Sequence, residues 1–373
     1  MQVHSSTSSS NWIRSTLWWF AGLVVTLTAF EITVNTLFSI PEGAQQPSGS
    51  LEKYFNYGLS TESKLDRTVG ESGSESAAII RAGWIPTELY GPDENWQDAP
   101  HRVIFYGMSF TNRAADHLAK LMPTASICTR AGPGAPFNHS YAMFQSDPYR
   151  DQADTVVIGI LSSSLPYMQT ISGISYSFES PSPFAFPKYE SHDGKTIDVT
   201  NPIIQSRDEF IEAYREQTTE WDVFKDQLRI EDAFWDGFVF NESITDRSAL
   251  FRLARRAWAS KQADDVRSNI YTSSGYDLSQ PSLSAVPLLI SDIQDKCLQN
   301  NQRLIILLLH ARGEPGHLDA WLTQHLKTEG TQVISTHEIF DSTDAMNFLG
   351  DGHYIPQRDA EIAEKIQDLI QTQ

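Results

Sequence analysis

Arg303 to His310, with the residue after it RLIILLLHA, is an apolar run with no polar alternation. A strand in a sheet with one wet face alternates apolar and polar side chains. A run this continuous therefore belongs in a sheet covered on both faces, as parallel sheets are. Val103 to Tyr106 and Thr155 to Leu161 (TVVIGIL) make the same demand, and further strands are expected at Ala125 to Arg130 and in TQVISTHEI. Between and after them, apolar residues recur at helical spacing. Examples are Ala114, Leu118, Leu121 and Met122, the stretch Leu318 to Leu326, and Ile362, Ala363, Ile366, Leu369 and Ile370 behind Pro356. Strand–helix alternation of this kind specifies an α/β fold built on an open parallel sheet.

The first strand ends in a stretch with chemical content. In RVIFYGMSFTN, residues 102–112, Gly107 is expected to turn the backbone sharply and Thr111 to cap the following helix, leaving Ser109 at the strand's C-terminal end. Ligands bind along this edge of an open α/β sheet, and a helix N-terminus there favours developing negative charge. Near the other end of the chain, LGDGHYIPQRDAEIAEKIQDLI carries Asp351 and His353 in a glycine-containing loop. A serine hydroxyl is a weak nucleophile until an imidazole accepts its proton, and that imidazole needs an acid to fix its tautomer. Asp351 is close enough in sequence to reach His353. The second strand runs into RAGPGAP, whose Gly132 and Gly134 are either an ordinary turn or part of a binding edge. Arg130 and His139 nearby are read as structural or solvated.

A serine early in the chain, then Asp and His together before the last helix, is the layout of the SGNH (GDSL-like) hydrolases. The sequence resembles them from about residue 100 to the end, with one large interruption. The resemblance implies a flavodoxin-like parallel sheet flanked by helices, and a serine esterase with Ser109 as nucleophile, His353 as base and Asp351 as acid. It places Gly132 and Gly134 in the family's second block, where a glycine N–H helps to bind the oxyanion. The third block departs from the family, reading Ser162, Ser163 and Ser164 where members usually carry an asparagine donor. A serine hydroxyl can also donate there. Met108 stands where the family often has aspartate. The tight Asp-x-His spacing resembles the membrane-tethered, polysaccharide-acetylating members. This implies O-acyl (acetyl) esters of a cell-surface or exopolysaccharide as substrate. Two alternatives stay open: acyl transfer to a sugar hydroxyl by the same triad, and a catalytically weak carbohydrate-binding or assembly protein. His310 ends its strand on the Ser109 edge, as a substrate contact or as a structural histidine. No metal cluster, Walker loop or dinucleotide fingerprint appears in a matching context, so neither cofactor nor metal is expected.

Leu165 to about Pro281 interrupts the alternation. The Pro- and aromatic-rich ISYSFESPSPFAFPKYE is expected to form an extended flap, whose exposed aromatics between Tyr176 and Tyr189 would stack on sugar rings. Phe210, Tyr214, Trp221, Phe224 and Leu228 read as packing on a helix. A second helix carries Leu250, Leu253, Ala254, Ala257 and Trp258 behind the cap candidate Asp246, with Arg252, Arg255, Arg256 and Lys261 as a solvated basic face.

The N-terminus sets the compartment. Ser15 to Phe30 is uncharged and mostly apolar, flanked by Trp12, Trp18 and Trp19, and Ile32 to Ile40 extends it past Glu31. Arg14 precedes the run and no basic residue follows until Lys53. The expectation is a signal anchor over residues 15–40, a cytoplasmic N-terminus over 1–14, a linker and lead-in over 41–100 containing the tether PEGAQQPSGS, and an exported domain over 101–373, periplasmic or extracellular. A cleaved signal peptide is the rival. With 47 acidic against 28 basic residues the net charge is −19, which argues against nucleic acid or an anionic membrane surface as partner. Cys128 and Cys297 are too few for a disulfide framework and are read as two buried thiols. No oligomer signal is visible.

Overall fold

The apolar runs form one parallel sheet in the computed structural model, which describes residues 8–38, 54–69, 81–85, 91–92, 94–326 and 330–372. Its strands are β1 (Arg102–Met108), β2 (Ser126–Gly132), β3 (Thr155–Leu161), β4 (Arg303–Leu309) and β5 (Thr331–Ser335). They lie in the order β2-β1-β3-β4-β5, with every pairing parallel. This is a doubly wound order. The chain steps outward from β1 to β2 and returns to β3 on the other side of β1, so a crevice opens at the strands' C-terminal ends beside β1.

The helices that matter here are, in chain order, α1 (Ser8–Leu37), α2 (Thr61–Val69), α3 (Ser109–Leu121), α4 (Phe137–Ser146), α5 (Arg207–Arg215), α6 (Thr219–Glu231), α7 (Ala249–Ile270), α8 (Pro281–Gln299), α9 (His317–Leu322) and α10 (Pro356–Gln371). Alternate strand side chains enter opposite layers. Val103, Phe105, Val157, Ile305 and Leu307 meet α3 and α10, whereas Ile104, Tyr106, Ile158, Ile306 and Leu308 meet α4 and α8. Both faces are covered, which is why the runs carry no polar alternation. Cys128 and Cys297 are buried and form no disulfide.

Gly107 does not turn the chain, as it lies within β1. Helix α3 begins directly at Ser109, preceded by the extended Met108, and Thr111 does not cap it. The glycine is needed for space: a Cβ at Gly107 would sit 2.2 Å from Thr111 Oγ1, and one at Gly159 in β3 would sit 2.0 Å from it. Thr111 fills a slot between two strands and pulls α3 down onto the sheet.

The segment between β3 and α8 is no flap. Of the aromatics from Tyr176 to Tyr189, Tyr176, Phe184, Phe186 and Tyr189 are buried and Phe178 alone is half-buried, with the Lys64 ammonium over its ring, so four of the five expected sugar-stacking side chains are instead packing. Phe210, Tyr214, Trp221 and Phe224 join α2 residues Leu65 and Val69, together with Trp84, in the same core cluster as the sheet face. Residues 54–69 therefore belong to the folded body, while the proposed tether at 41–50 lies outside the described residues.

The basic face of α7 is also corrected. Its N-cap is Ser248, which accepts from Phe251 N. Asp246 instead pairs with Arg255 at 2.6 Å and accepts from Ser60 N. Arg252 donates to Asn56 Oδ1 at 3.0 Å, and both arginines are buried. Arg256 pairs with Glu179, and Lys261 with Asp265 on the surface.

Candidate active site

Ser109 is the first residue of α3, at the point where the strand order reverses. Its Oγ lies 2.7 Å from His353 Nε2, although 244 residues separate the two in sequence. The loop carrying His353 is a tight turn. Gly352 N donates to Leu349 O and Leu349 N to His353 O, while Gly352 adopts φ +89°, the left-handed conformation that glycine accepts without strain. That reversal folds Asp351 back onto the histidine. The His353 backbone N–H donates to Asp351 Oδ1 at 3.1 Å, and Asp351 Oδ2 stands 3.2 Å from His353 Nδ1. The second approach lies off the line that a ring N–H needs for a full hydrogen bond, a looseness common in unliganded sites. The His353 N–H is the main cause holding the Asp351 carboxyl below its usual range.

Two further contacts hold His353 in place. Phe110, the residue after Ser109, stacks on the His353 ring at 4.8 Å and 27°. Arg113, one helical turn on, forks between Asp359 Oδ2 at 2.7 Å and the Tyr354 carbonyl at 3.0 Å, tying α3 to the start of α10 beside the loop that carries His353. Phe110, Arg113 and Asp359 escaped the sequence reading because their partners are more than 240 residues away. The one available signal was their position in the same two motifs.

The remaining expected residues sort by geometry. Gly132 pairs with Met108 in the β1–β2 ladder, which sets the Gly132–Gly134 turn beside the strand end that bears Ser109. Gly134 has φ +61°, and a Cβ there would lie 3.8 Å from the Tyr176 ring. Ser162 is buried, and its Oγ accepts from Ala311 N at 2.8 Å, bracing β3 against the turn after β4. Ser163 is exposed and lines a cavity of about 360 Å³ with Tyr271, Tyr276, Arg267 and Arg312. Ser164 Oγ donates to Leu161 O. His139 donates its Nε2 proton to Gly83 O, and burial lowers its pKa to about 4, which keeps it neutral. Arg130 pairs with Asp147 at 2.7 Å inside the core.

His310 is fully buried and belongs to a separate group. Its Nε2 faces Asp319 Oδ2 at 2.8 Å and Glu314 Oε2 at 3.4 Å, and the His337 ring lies 3.8 Å away. No metal cluster was expected from the sequence, because these residues come from the end of β4, the turn after it, α9, and the turn after β5.

A second concavity, of about 640 Å³, runs along α7 and is lined by Tyr54, Tyr176, Phe178, Glu179, Arg256 and Arg267. Tyr176 links it to the Gly134 turn. Comparison of the chain with protein-family models, with curated proteins and with solved structures finds no match.

Proposed function

We propose that this chain is a membrane-anchored, exported serine esterase of the SGNH type, acting on O-acyl, chiefly acetyl, esters of a cell-surface polysaccharide. The observation that carries the reading is the 2.7 Å approach of His353 Nε2 to Ser109 Oγ at the sheet's switch point. In this mechanism His353 Nε2 takes the hydroxyl proton as Ser109 Oγ bonds to the acyl carbon. The carbonyl electrons move onto oxygen beside the α3 N-terminus and the Gly132–Gly134 turn, and their return expels the sugar alkoxide, which takes the proton from His353. Water, deprotonated by the same imidazole, then attacks the acyl carbon; the bond to Ser109 Oγ breaks, the serine takes the proton back from His353, and the carboxylic acid leaves. A sugar hydroxyl in place of that water would make the same site a transferase. The groove along α7, joined to Gly134 through Tyr176, is the place for the polymer in this reading.

Labelling of the detergent-solubilised full chain with a fluorophosphonate tests the reading without knowledge of the substrate. Wild type should label and should hydrolyse a small acetyl ester. Ser109→Ala should abolish both, and His353→Ala should lower kcat by several orders of magnitude. The double variant should be little worse than either single change, because the residues act as a unit. A folded wild type that neither labels nor hydrolyses would leave the carbohydrate-binding or assembly reading in its place.

A further inference from the structure

The group around His310 makes little sense as a purely proteinaceous hydrogen-bond network. His310 Nε2, Glu314 Oε2 and His337 Nε2 are all buried and make no well-aligned hydrogen bond among the described residues, the 2.8 Å approach of Asp319 Oδ2 to His310 Nε2 being off-line, and the three atoms lie within 4.8 Å of one another. Orphaned polar atoms in an interior cost on the order of 1–3 kcal/mol each, so three of them converging on one point call for a shared partner. The spacing identifies it. A tetrahedral ion with bonds of about 2.0–2.1 Å sets its donors roughly 3.3 Å apart. Glu314 Oε2 stands 3.4 Å from His310 Nε2 and 3.6 Å from His337 Nε2.

The surroundings are those of a metal's ligands. His310 Nδ1 faces Thr336 Oγ1 at 2.8 Å, and that hydroxyl donates to Leu308 O; with Nδ1–H as the donor, the lone pair of Nε2 points into the group. The other carboxylate oxygen of Glu314 accepts from His317 N at 2.6 Å and from Leu318 N, which fixes the carboxylate's orientation. Asp319 Oδ2, held by Ser335 Oγ at 3.0 Å, stands 2.8 Å from His310 Nε2, beside the three-atom group and outside it. Two imidazoles and one carboxylate form the group, and the nearby Asp319 carboxylate adds the second negative charge that offsets a dication. Imidazole and carboxylate donors together favour zinc over calcium or magnesium.

We propose that His310, Glu314 and His337 bind a zinc ion, with Asp319 as a charged neighbour of His310. The ion joins the end of β4 to the turns after β4 and β5. It also stands behind the catalytic loop, since Tyr354, the neighbour of His353, donates its hydroxyl to the His310 carbonyl at 2.8 Å. Its role is to brace that loop, not to touch the substrate.

The test uses the full chain in detergent, stripped with chelator, incubated with zinc chloride alone, desalted and assayed for metal by mass spectrometry. Wild type should retain one zinc per chain, with magnesium and calcium failing to displace it. His337→Ala and Glu314→Gln should each weaken zinc retention about a hundredfold or more, and Asp319→Asn about tenfold. His337 is partly exposed, so its variant should fold, and circular dichroism checks this; if Glu314→Gln misfolds, His337→Ala decides alone. Zinc should also raise the melting temperature of wild type and leave that of His337→Ala unmoved. Wild type retaining no more zinc than His337→Ala would overturn the proposal. These readouts are independent of Ser109 chemistry, so their failure would leave the esterase reading intact.

Discussion

Asp351 stands where a triad's acid would stand, yet its side chain is 63% exposed. A buried carboxylate couples strongly to an imidazolium, but water screens an exposed one. Its contribution here is chiefly geometric, with one oxygen on the His353 backbone N–H and the other near the ring. A different carboxylate carries the pH sensitivity. Asp232, the residue that follows α6, is buried, and desolvation raises its pKa to about 7 despite the Phe234 N–H donated to it. The folded value lies above the unfolded one, so the native state holds a proton between about pH 4 and 7 that the unfolded chain has lost. Stability from this group is therefore full at the acid end of that window and declines as pH rises through 7. Asp232→Asn should melt like wild type near pH 4.5 and several degrees above it at pH 8. Equal differences at both pH values would show that the carboxyl titrates normally.

Among the elements, the α3–α10 pairing decides whether Ser109 and His353 stay in register. Arg113 is its clamp, and Asp359, whose side chain is fully buried, is its anchor. Arg113→Ala strands that carboxylate, a change that costs on the order of 3 kcal/mol in buried pairs. A packing role alone would be restored by an apolar pair. In Arg113→Met with Asp359→Leu the melting temperature should recover while kcat stays about ten- to a hundredfold low and KM holds, because the second fork to the Tyr354 carbonyl is lost. Recovery of kcat along with stability would reduce the clamp to packing. The elements themselves were legible in the sequence. Continuous apolar runs reported β1, β3 and β4, and the 3.6-residue spacing reported α3 and α10. The local signals that misled were those whose cause lies in another layer of the fold. Gly107 looked like a turn, whereas it lacks a Cβ to make room for Thr111, which reaches it from the helix layer. Arg252 and Arg255 looked solvated because Asn56 and Ser60, which meet them and Asp246, precede them by nearly 200 residues. The aromatics from Tyr176 to Tyr189 looked exposed because composition does not report which neighbours cover them. The juxtaposition of Ser109, Asp351 and His353 was readable for the converse reason, the three residues falling in two short motifs at fixed places in the strand order.

At the scale of the whole molecule, the body is joined to its apolar helix by a packed junction. Trp12–Leu37 is long and apolar enough to cross a membrane. Its exposed portion from Trp12 to Phe30, 19 residues, spans about 28 Å, close to a hydrocarbon core of about 30 Å. The helix does not end there. Glu31, the charge that interrupts the run, accepts from Ala249 N at 2.8 Å, from Leu250 N at 3.1 Å and from Ser248 Oγ, so it caps the N-terminus of α7. Val34 is buried, Asn35 accepts from Arg252, and Phe38 stacks on Phe55 at 5.2 Å. The last two turns of α1 are thus part of the folded body, and a carboxylate at a helix N-terminus stabilises that junction. Cutting the chain before Leu51 should release the body from membranes and also lower its melting temperature, which a detachable anchor would not do. In the full chain, Glu31→Ala should leave membrane retention through a carbonate wash unchanged. It should lower the melting temperature by about 1–4 °C, the shift expected for losing a cap worth roughly 1 kcal/mol. If the shortened chain melts as the full chain does, α1 is a tether and the docking of its last two turns contributes nothing to the fold.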